Sequence, residues 1–555
     1  MSYPPASEYW AVLPEMILAA AMCIILLVPV LPPFRSACRR SHKPMLIIGI
    51  LGLLGAALAS AGMLNQWFGT ELPDHAVLGS MLTVDRYSMA FKIVLYLFSM
   101  FVLWMWGSIT SRQTRTVDGP DYVSLILGAV LGMSLMASAS NFLMIFLAIE
   151  TASFPSFALA GFHKTTRRGS EAGMKYVLFG AVSSAVMLYG LSMLYGVCGT
   201  LDIPTVASVV AEQGLSVGVI VGFVGLLIGV GFKLSAVPMH FWCPDVFEAA
   251  PIEVTTFLSV ASKGAAIILL GRLILTLGFY LPDTAEAHRM ANGIATCVGI
   301  VGLVTATWGN LGAYYQENIK RLLAYSSIAH AGYMIMAAGL VSSSLGGAAS
   351  SDVAGIAVQE PLAYALLFYV IVYSFMNFGA FTIAASVARS TGSENLRDYA
   401  GLGSRQPVLA ILLGCFLMCL FGMPGTGGFL GKVYLGFEMW SAGMWWLVAG
   451  LVINTVFSLY LYMKPIIFMV FTKPDADRPA VAPVTVVPAA WLLMFVALIG
   501  ILATGIFPDQ VTGWARSNAA LNYRSRPLFT PNDNRTIAAT MMTADDETPA
   551  DDHGH

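Results

Sequence analysis

Long apolar runs separated by short polar segments dominate this chain. A run of about 17–25 apolar residues is long enough to cross a bilayer as an α-helix. The pattern predicts about fourteen such spans, near residues 11–31, 45–64, 87–107, 122–138, 141–160, 173–198, 215–236, 252–277, 291–308, 321–341, 361–388, 407–436, 442–470 and 486–507. We therefore expect an all-α polytopic membrane protein, because helices satisfy their own backbone hydrogen bonds in lipid.

Composition supports a membrane protein and narrows its chemistry. The chain has 555 residues, of which 57% are hydrophobic and 11% charged, whereas soluble domains contain about 25% charged residues. The net charge of -2 gives no bulk preference for nucleic acid. The seven cysteines include no C-x-x-C pair, so we expect no zinc, iron–sulfur or disulfide framework.

Basic residues in the loops predict the orientation. One set of alternate loops contains Arg35, Arg39, Arg40, Lys43, Arg112, Arg115, Lys164, Arg167, Arg168, Lys320, Arg321, Arg389, Arg397, Arg405, Lys473 and Arg478. The opposite set contains little besides Arg86 and Arg289. Basic loops stay on the cytoplasmic side, so both termini are expected outside. The N-terminus has no basic segment before its first apolar run, which favours a retained first helix over a cleaved signal peptide.

Two of the predicted spans are interrupted. The seventh contains Pro238, and the twelfth contains Pro424 followed by several glycines. Proline removes a backbone donor, and a break at membrane depth persists only where protein or water satisfies the freed groups. A lysine lies near each break, Lys233 before the first and Lys432 after the second. We therefore expect helices 7 and 12 to be discontinuous.

The spacing of the two breaks predicts the domain organisation. Paired interruptions at matching places in two halves indicate inverted repeats, and an interval of five spans gives five helices per repeat. The expected units are a three-helix segment over 1–121, a first repeat (spans 4–8) over 122–277, a second, inverted repeat (spans 9–13) over 291–470, and a last span at 486–507. The polar residues 516–555 are expected to form a disordered tail.

Titratable side chains inside the apolar spans are the strongest functional signal. They are Glu150, Lys175, Lys233, Lys263, His330 and Lys432. A charge at the centre of a membrane helix costs about 2.5–3.5 kcal/mol on insertion scales, and such residues commonly mark ion paths or proton relays. We take these six as candidate proton-transfer residues.

Each candidate also has a purely structural interpretation. Lys175 is able to extend its ammonium group to the membrane interface. Glu150 is able to form a structural ion pair with Lys175. An ion pair that opens and closes would also act as a gate for protons. Burial and mutual repulsion favour the neutral amines of the two deep lysines, Lys233 and Lys263. His330 fits a relay and a core histidine equally well.

Two further residues carry weaker signals. His240, at the end of the seventh span, is a weaker proton-transfer candidate. Arg272 is interpreted as a snorkelling side chain and is left out of the set.

Four segments carry a family resemblance. They are GMKYVLFGAVSSAVMLYGLSMLYG, GFKLSAVPMHFWCPDVFEAAPIEVTTFLSVASKGAA, YYQENIKRLLAYSSIAHAGYM and GMPGTGGFLGKVYL. They resemble the antiporter-like membrane subunits of the proton-pumping NADH–quinone oxidoreductase, respiratory complex I, over about residues 10–510. The fourteen-span layout and Lys432, where M-type subunits carry glutamate, favour the N-type subunits.

The resemblance implies a role for each candidate. Glu150 matches the fifth-span glutamate, Lys175 its partner, Lys233 the broken-helix lysine, Lys263 the connecting lysine, His330 the relay histidine, and Lys432 the lysine that passes protons outward. The family's usual Tyr-Glu-Gly-Ala-Pro sequence is Phe-Glu-Ala-Ala-Pro at 247–251. The implied function is proton translocation driven by quinone reduction elsewhere in the complex.

The resemblance also implies a cellular setting. NADH, FMN, iron–sulfur clusters and quinone belong to partner subunits; no cofactor or metal is expected in this chain, which shows neither a P-loop nor a dinucleotide-binding glycine motif. M-, K-, J- and L-like subunits are the expected partners, in a bacterial inner membrane. Three alternatives remain: a subunit of a multisubunit Na⁺/H⁺ antiporter, a subunit of an energy-converting membrane hydrogenase, and a structural anchor whose buried charges only pair.

Overall fold

The computed structural model describes residues 6–31, 41–67, 72, 77–110, 118–164, 166–280, 285–340, 358–359, 361–472 and 484–521. The expected disordered tail lies outside the described residues from 522 onward. Its first residues, 516–521, form the end of a helix and a two-residue strand. Seven of the basic loop residues also lie outside, namely Arg35, Arg39, Arg40, Arg112, Arg115, Lys473 and Arg478.

The N-terminal part and the first predicted repeat are helical. The N-terminal helices are α1 (Ala6–Ala11), α2 (Leu13–Leu27), α3 (Lys43–Leu64) and α4 (Arg86–Met105), which continues as a π-helical turn, Trp106–Thr110. The next helices are α5 (Gly119–Ser138), α6 (Phe142–Ala160), α7 (Arg167–Cys198), α8 (Ile203–Gln213), α9 (Val217–Leu234), α10 (Trp242–Ala249), α11 (Ile252–Phe257) and, after a π-helical turn at Leu258–Ser262, α12 (Lys263–Tyr280).

The second predicted repeat and the last span follow the same pattern. Their helices are α13 (Ala285–Gly312), α14 (Ile319–Ala338), α15 (Pro361–Thr391), α16 (Leu402–Arg405), α17 (Pro407–Phe421), α18 (Gly427–Ser441), α19 (Trp445–Val470), α20 (Pro488–Ile506) and α21 (Pro508–Ser517), with a 3₁₀ turn at Leu396–Tyr399. Strands β1 (Val358–Gln359) and β2 (Ala520–Leu521) pair antiparallel.

The all-α membrane fold is confirmed. Each predicted span corresponds to one described helix or to one pair of helices, and 11 helices within the described residues are long and apolar enough to cross a membrane. Spans 7 and 12 are discontinuous, as α9–α10 and α17–α18. Two details differ from the prediction: α7 begins six residues before position 173, and α8 is an additional short helix. The inversion of the two repeats stays a prediction.

Local sequence signals set several helix boundaries. The side chain of Asp85 accepts a hydrogen bond from Ser88 N at 2.8 Å and begins α4 in a capping box. Asn141 caps α6 through Leu143 N, and Asn318 caps α14. These side chains satisfy backbone donors that lack a partner in the first helical turn.

The core surrounds α11–α12 and α15, which are buried along almost their whole length. Helix α15 packs against α4, α12, α14, α17, α18 and α20. By contrast, α7, α13 and α19 lie at the periphery and expose many apolar side chains. The candidate residues on α12 and α14 therefore lie in the interior of the bundle.

Candidate proton-transfer site

At the first helix break, between α9 and α10, side chains form hydrogen bonds with backbone groups that the interrupted helix leaves without partners. Helix α9 ends at Leu234, and Ser235 adopts a left-handed conformation with φ of 55°. The indole Nε1 of Trp242 donates to Phe232 O at 3.1 Å, and Val237 N donates to Thr305 Oγ1 at 3.0 Å. These bonds satisfy backbone groups that the break frees, as membrane depth requires.

At the second break, the candidate lysine itself performs this role. Helix α17 ends at Phe421, and Gly422 follows with φ of 88°. Lys432 Nζ donates to Phe421 O at 2.6 Å. A Cβ at position 422 would lie 3.3 Å from Lys432 Nζ, so glycine leaves space for this contact. The negative end of the α17 dipole favours a cation here.

Lys233 lies in the last turn of α9 and is 1% exposed. Its Nζ has no hydrogen-bond partner among the described residues. Glu150, on α6, is close enough to act on it electrostatically, and the Glu150 carboxylate accepts a hydrogen bond from Ser184 Oγ. A buried amine with a nearby acid and no hydrogen bond is suited to proton exchange.

The expected ion pair between Glu150 and Lys175 is not formed. Lys175 Nζ instead binds Glu171 and Asp245, each at 2.8 Å. Ser184, which binds Glu150, lies nine residues after Lys175 on α7. Nine residues span about 13.5 Å along the helix axis and about two and a half turns, so the two side chains point to opposite faces. Glu150 thus contacts the face of α7 opposite to Lys175. Lys175 lies near the start of α7, where it binds carboxylates that are partly exposed.

Asp245 joins Lys175 to a wider charge network. Its carboxylate also accepts from Arg321 Nη1 at 2.8 Å, and Arg321 binds Glu248 at the same distance. Burial alone would raise the pKa of the Asp245 carboxyl, but the hydrogen bonds from Lys175 and Arg321 hold that pKa below its ordinary value. The network connects α7, α10 and α14.

Lys263 begins α12, immediately after a π-helical turn, a feature frequent at functional sites. Its Nζ donates to Ser327 Oγ at 2.6 Å and lies 3.7 Å from Cys243 Sγ. His240, the weaker candidate, is buried between the two half-helices, and its ring packs on Phe241. Lys263 therefore connects α12 to α14.

His330 is hydrogen-bonded through both ring nitrogens. Nδ1 lies 2.7 Å from the hydroxyl of Tyr369, and Nε2 lies 3.0 Å from that of Tyr462. Tyr462 also bonds Ser326 at 2.6 Å. Because a hydroxyl both donates and accepts, the imidazole is able to receive a proton at one nitrogen and release one at the other.

Tyr333 connects His330 and its tyrosine partners to the second helix break. It lies one turn beyond His330 on α14, and its ring centroid is 4.9 Å from Lys432 Nζ. Ser327, His330 and Tyr333 thus follow one another at intervals of three residues on α14. Lys263 contacts the first of them and Lys432 the last. Tyr333, Tyr369 and Tyr462 are not among the predicted residues, because they lie on three different helices and meet near His330 and Lys432 only after folding.

Two buried ion pairs were also missed. Arg272 donates to both carboxylate oxygens of Asp85 at 2.9 and 2.8 Å. Interpreting Arg272 as a snorkelling side chain is therefore wrong, since it is 4% exposed. Lys92 binds Glu15 at 2.7 Å, so the bundle contains a buried acid besides Glu150.

No group of three histidine, cysteine, aspartate or glutamate side chains among the described residues is placed to hold a metal ion. The contacts that the structure does contain suit proton exchange between amines, imidazole and hydroxyls.

Known proteins of related sequence and structure share this arrangement of helices. The family described as "NADH:quinone oxidoreductase/Mrp antiporter, TM" matches residues 139–458. "NADH-quinone oxidoreductase subunit N 2" of Sorangium cellulosum is 36% identical over 484 residues, covering 84% of this chain and 89% of that protein.

Two solved structures have the same fold. A chain of respiratory complex I from Thermus thermophilus matches with a TM-score of 0.67 and 27% identity, covering 92% of this chain and 100% of that one. A chain of the Mrp complex from Dietzia sp. matches with a TM-score of 0.72 at 18% identity, covering 93% and 98%. The chain therefore belongs to the NADH:quinone oxidoreductase/Mrp antiporter family of membrane subunits, and its predicted resemblance to subunit N is confirmed.

Proposed function

We propose that this chain is the N-type, proton-translocating membrane subunit of an NADH–quinone oxidoreductase. Lys233, Lys263, His330 and Lys432 carry protons between the two helix breaks, and Glu150 modulates Lys233. The observation that carries the proposal is the row of contacts along α14, where Lys263 binds Ser327, His330 binds two tyrosines, and Lys432 faces Tyr333.

The two ends of the row have different tasks. At the first break, the charge on Lys233 responds to Glu150, since no hydrogen bond holds its Nζ among the described residues. At the second break, Lys432 takes up a proton beside Phe421 O and Tyr333 and releases it outward. Moving one charge against the field costs about 2.3 kcal/mol per 100 mV, which electron transfer in partner subunits must supply.

The family and the loop charges support a specific cellular setting for the chain. M-, K-, J- and L-like membrane subunits flank the chain in a bacterial inner membrane, with both termini on the outer side. NADH, FMN, iron–sulfur clusters and quinone are bound in partner subunits. Lys175 and Asp245 belong to the cytoplasmic boundary in this orientation.

Substitution of Lys233 tests the function. In the assembled complex in proteoliposomes, Lys233→Ala is expected to abolish or strongly reduce proton pumping coupled to quinone reduction. Val230→Ala is the matched control, because Val230 lies on the same helix and is also 1% exposed but carries no charge. Full pumping by Lys233→Ala would overturn the relay, whereas equal losses in both variants would indicate a packing defect.

The second candidate function is a subunit of an Mrp-type Na⁺/H⁺ antiporter, which the shared family supports. An energy-converting hydrogenase would likewise keep the ion path and change the partners. Isolation of the native complex distinguishes them: co-purifying NADH–quinone oxidoreductase activity supports the proposed function, and sodium-dependent exchange without that activity refutes it.

A further inference from the structure

Helix α19 presents a polar stripe to the interior of the bundle. The stripe consists of Asn454, Ser458 and Tyr462, spaced one helical turn apart on one face, and each is 1% exposed. Neighbouring positions, such as Val452 and Val456, are exposed and apolar. Three polar groups in a row inside a membrane helix are costly unless they are bonded or used.

The end of the stripe at Asn454 lies close to the second helix break. Asn310 Nδ2 donates to Tyr333 Oη at 2.9 Å and to Asn454 Oδ1 at 3.1 Å. Asn454 Nδ2 donates to Thr307 Oγ1 at 3.0 Å. Since the Tyr333 ring faces Lys432, the two asparagines lie one side chain away from that lysine.

The other end of the stripe reaches the side that bears the basic loops. Lys464 Nζ donates to the backbone oxygens of Tyr314 and Gln316 at 2.9 and 2.7 Å, and Tyr314 Oη donates to Phe457 O at 2.8 Å. Pro465 lies inside α19 and has no N–H to donate to Leu461 O. The carbonyl of Leu461 therefore receives no hydrogen bond from position 465.

One polar atom on the route remains unused. Asn310 is fully buried, and its Oδ1 has no hydrogen-bond partner among the described residues. Buried polar atoms are normally bonded to protein or to ordered water. Its acceptor capacity is therefore an indication, independent of the stripe, that a mobile donor visits this place.

We infer that the stripe, with Asn310 and Tyr333, is a proton-uptake route for the second repeat, leading from the basic-loop side to His330 and Lys432. The inference rests on the proposed function. Water carries the protons, and the amide and hydroxyl groups order that water; no bond to these side chains is made or broken. Lys464 and Tyr314 mark the entrance.

The double variant Asn310→Leu/Asn454→Leu tests the route. Replacing both partners together leaves neither amide unpaired, which limits the cost to folding. In proteoliposomes of the whole complex, the ratio of protons pumped to NADH oxidised is expected to fall, while the amount of assembled complex and NADH oxidation by an artificial acceptor stay at wild-type levels. Thr455→Val is the control, because its hydroxyl bonds only Leu451 O of its own helix.

Two results would overturn the inference. One is an unchanged ratio in the double variant. The other is a loss that the polar replacements Asn310→Ser/Asn454→Ser do not restore, since that outcome indicates packing of α13 against α19 and not water ordering. The proposed function fails separately, by normal pumping of Lys233→Ala in the same assay.

Discussion

The buried pair of Arg272 and Asp85 makes the contribution of charge to stability measurable. The Arg272 side chain is 5% exposed and that of Asp85 is 2% exposed. The guanidinium donates to both carboxylate oxygens, and its Nε donates to Ala137 O at 2.9 Å. The pair thus ties α12 to the start of α4 and the end of α5. Arg272→Met removes the charge while it keeps most of the side-chain volume.

The magnitude follows from the geometry. Two unit charges 2.8 Å apart interact by about 6 kcal/mol at an effective dielectric constant of about 20. Removing one member of a buried pair typically costs about 3–5 kcal/mol, because the other charge is left uncompensated. Losing the donor to Ala137 O adds about 1 kcal/mol. We expect Arg272→Met to lower the free energy of unfolding of the subunit by about 4–6 kcal/mol.

The assay is retention of the subunit in the purified complex during denaturant titration, compared with wild type. Asp85→Asn/Arg272→Met is expected to recover most of the loss, because asparagine still caps α4. Arg86→Met is the control, since the partly buried Arg86 reaches only Asn518, at 3.4 Å, and should change stability by less than about 0.5 kcal/mol. Wild-type stability of Arg272→Met, or a double variant no better than the single, would refute the reasoning.

Two other predictions concern ion pairs elsewhere in the chain. Lys92→Met leaves the buried Glu15 carboxylate uncompensated and should destabilise the subunit by about 3–5 kcal/mol; Glu15→Gln/Lys92→Met should be clearly milder in the same titration. Asp245→Asn removes the charge shared by Lys175 and Arg321, which are partly exposed, so it should cost about 1 kcal/mol or less; a loss as large as that of Lys92→Met would contradict the placement of this network at the polar boundary.

Local signals in the sequence predicted the architecture well. Apolar run length determines where helices cross the membrane, and Pro238 and Pro424 mark the two breaks, because each effect acts within a few residues. The pairing of side chains was less accessible. The predicted partners Glu150 and Lys175 lie on the neighbouring helices α6 and α7, but Glu150 meets the Ser184 face of α7. Which face a helix presents to its neighbour depends on the packing of the whole bundle.

The two helix breaks differ in a way that bears on coupling. At the first break, the freed carbonyl of Phe232 is bound by the indole of Trp242, so Lys233 is left to interact with the carboxylate of Glu150. A carboxylate changes charge on protonation. At the second break, Lys432 binds the carbonyl of Phe421 and faces an aromatic ring, and neither group loses its partial charge.

Lys233 is therefore open to influence from α6, the helix that carries Glu150. In the proposed function, the signal from quinone reduction acts at the first break, where the carboxylate of Glu150 acts electrostatically on Lys233. The two breaks thus differ in the side chain that binds the exposed carbonyl, which is Trp242 at the first break and Lys432 at the second.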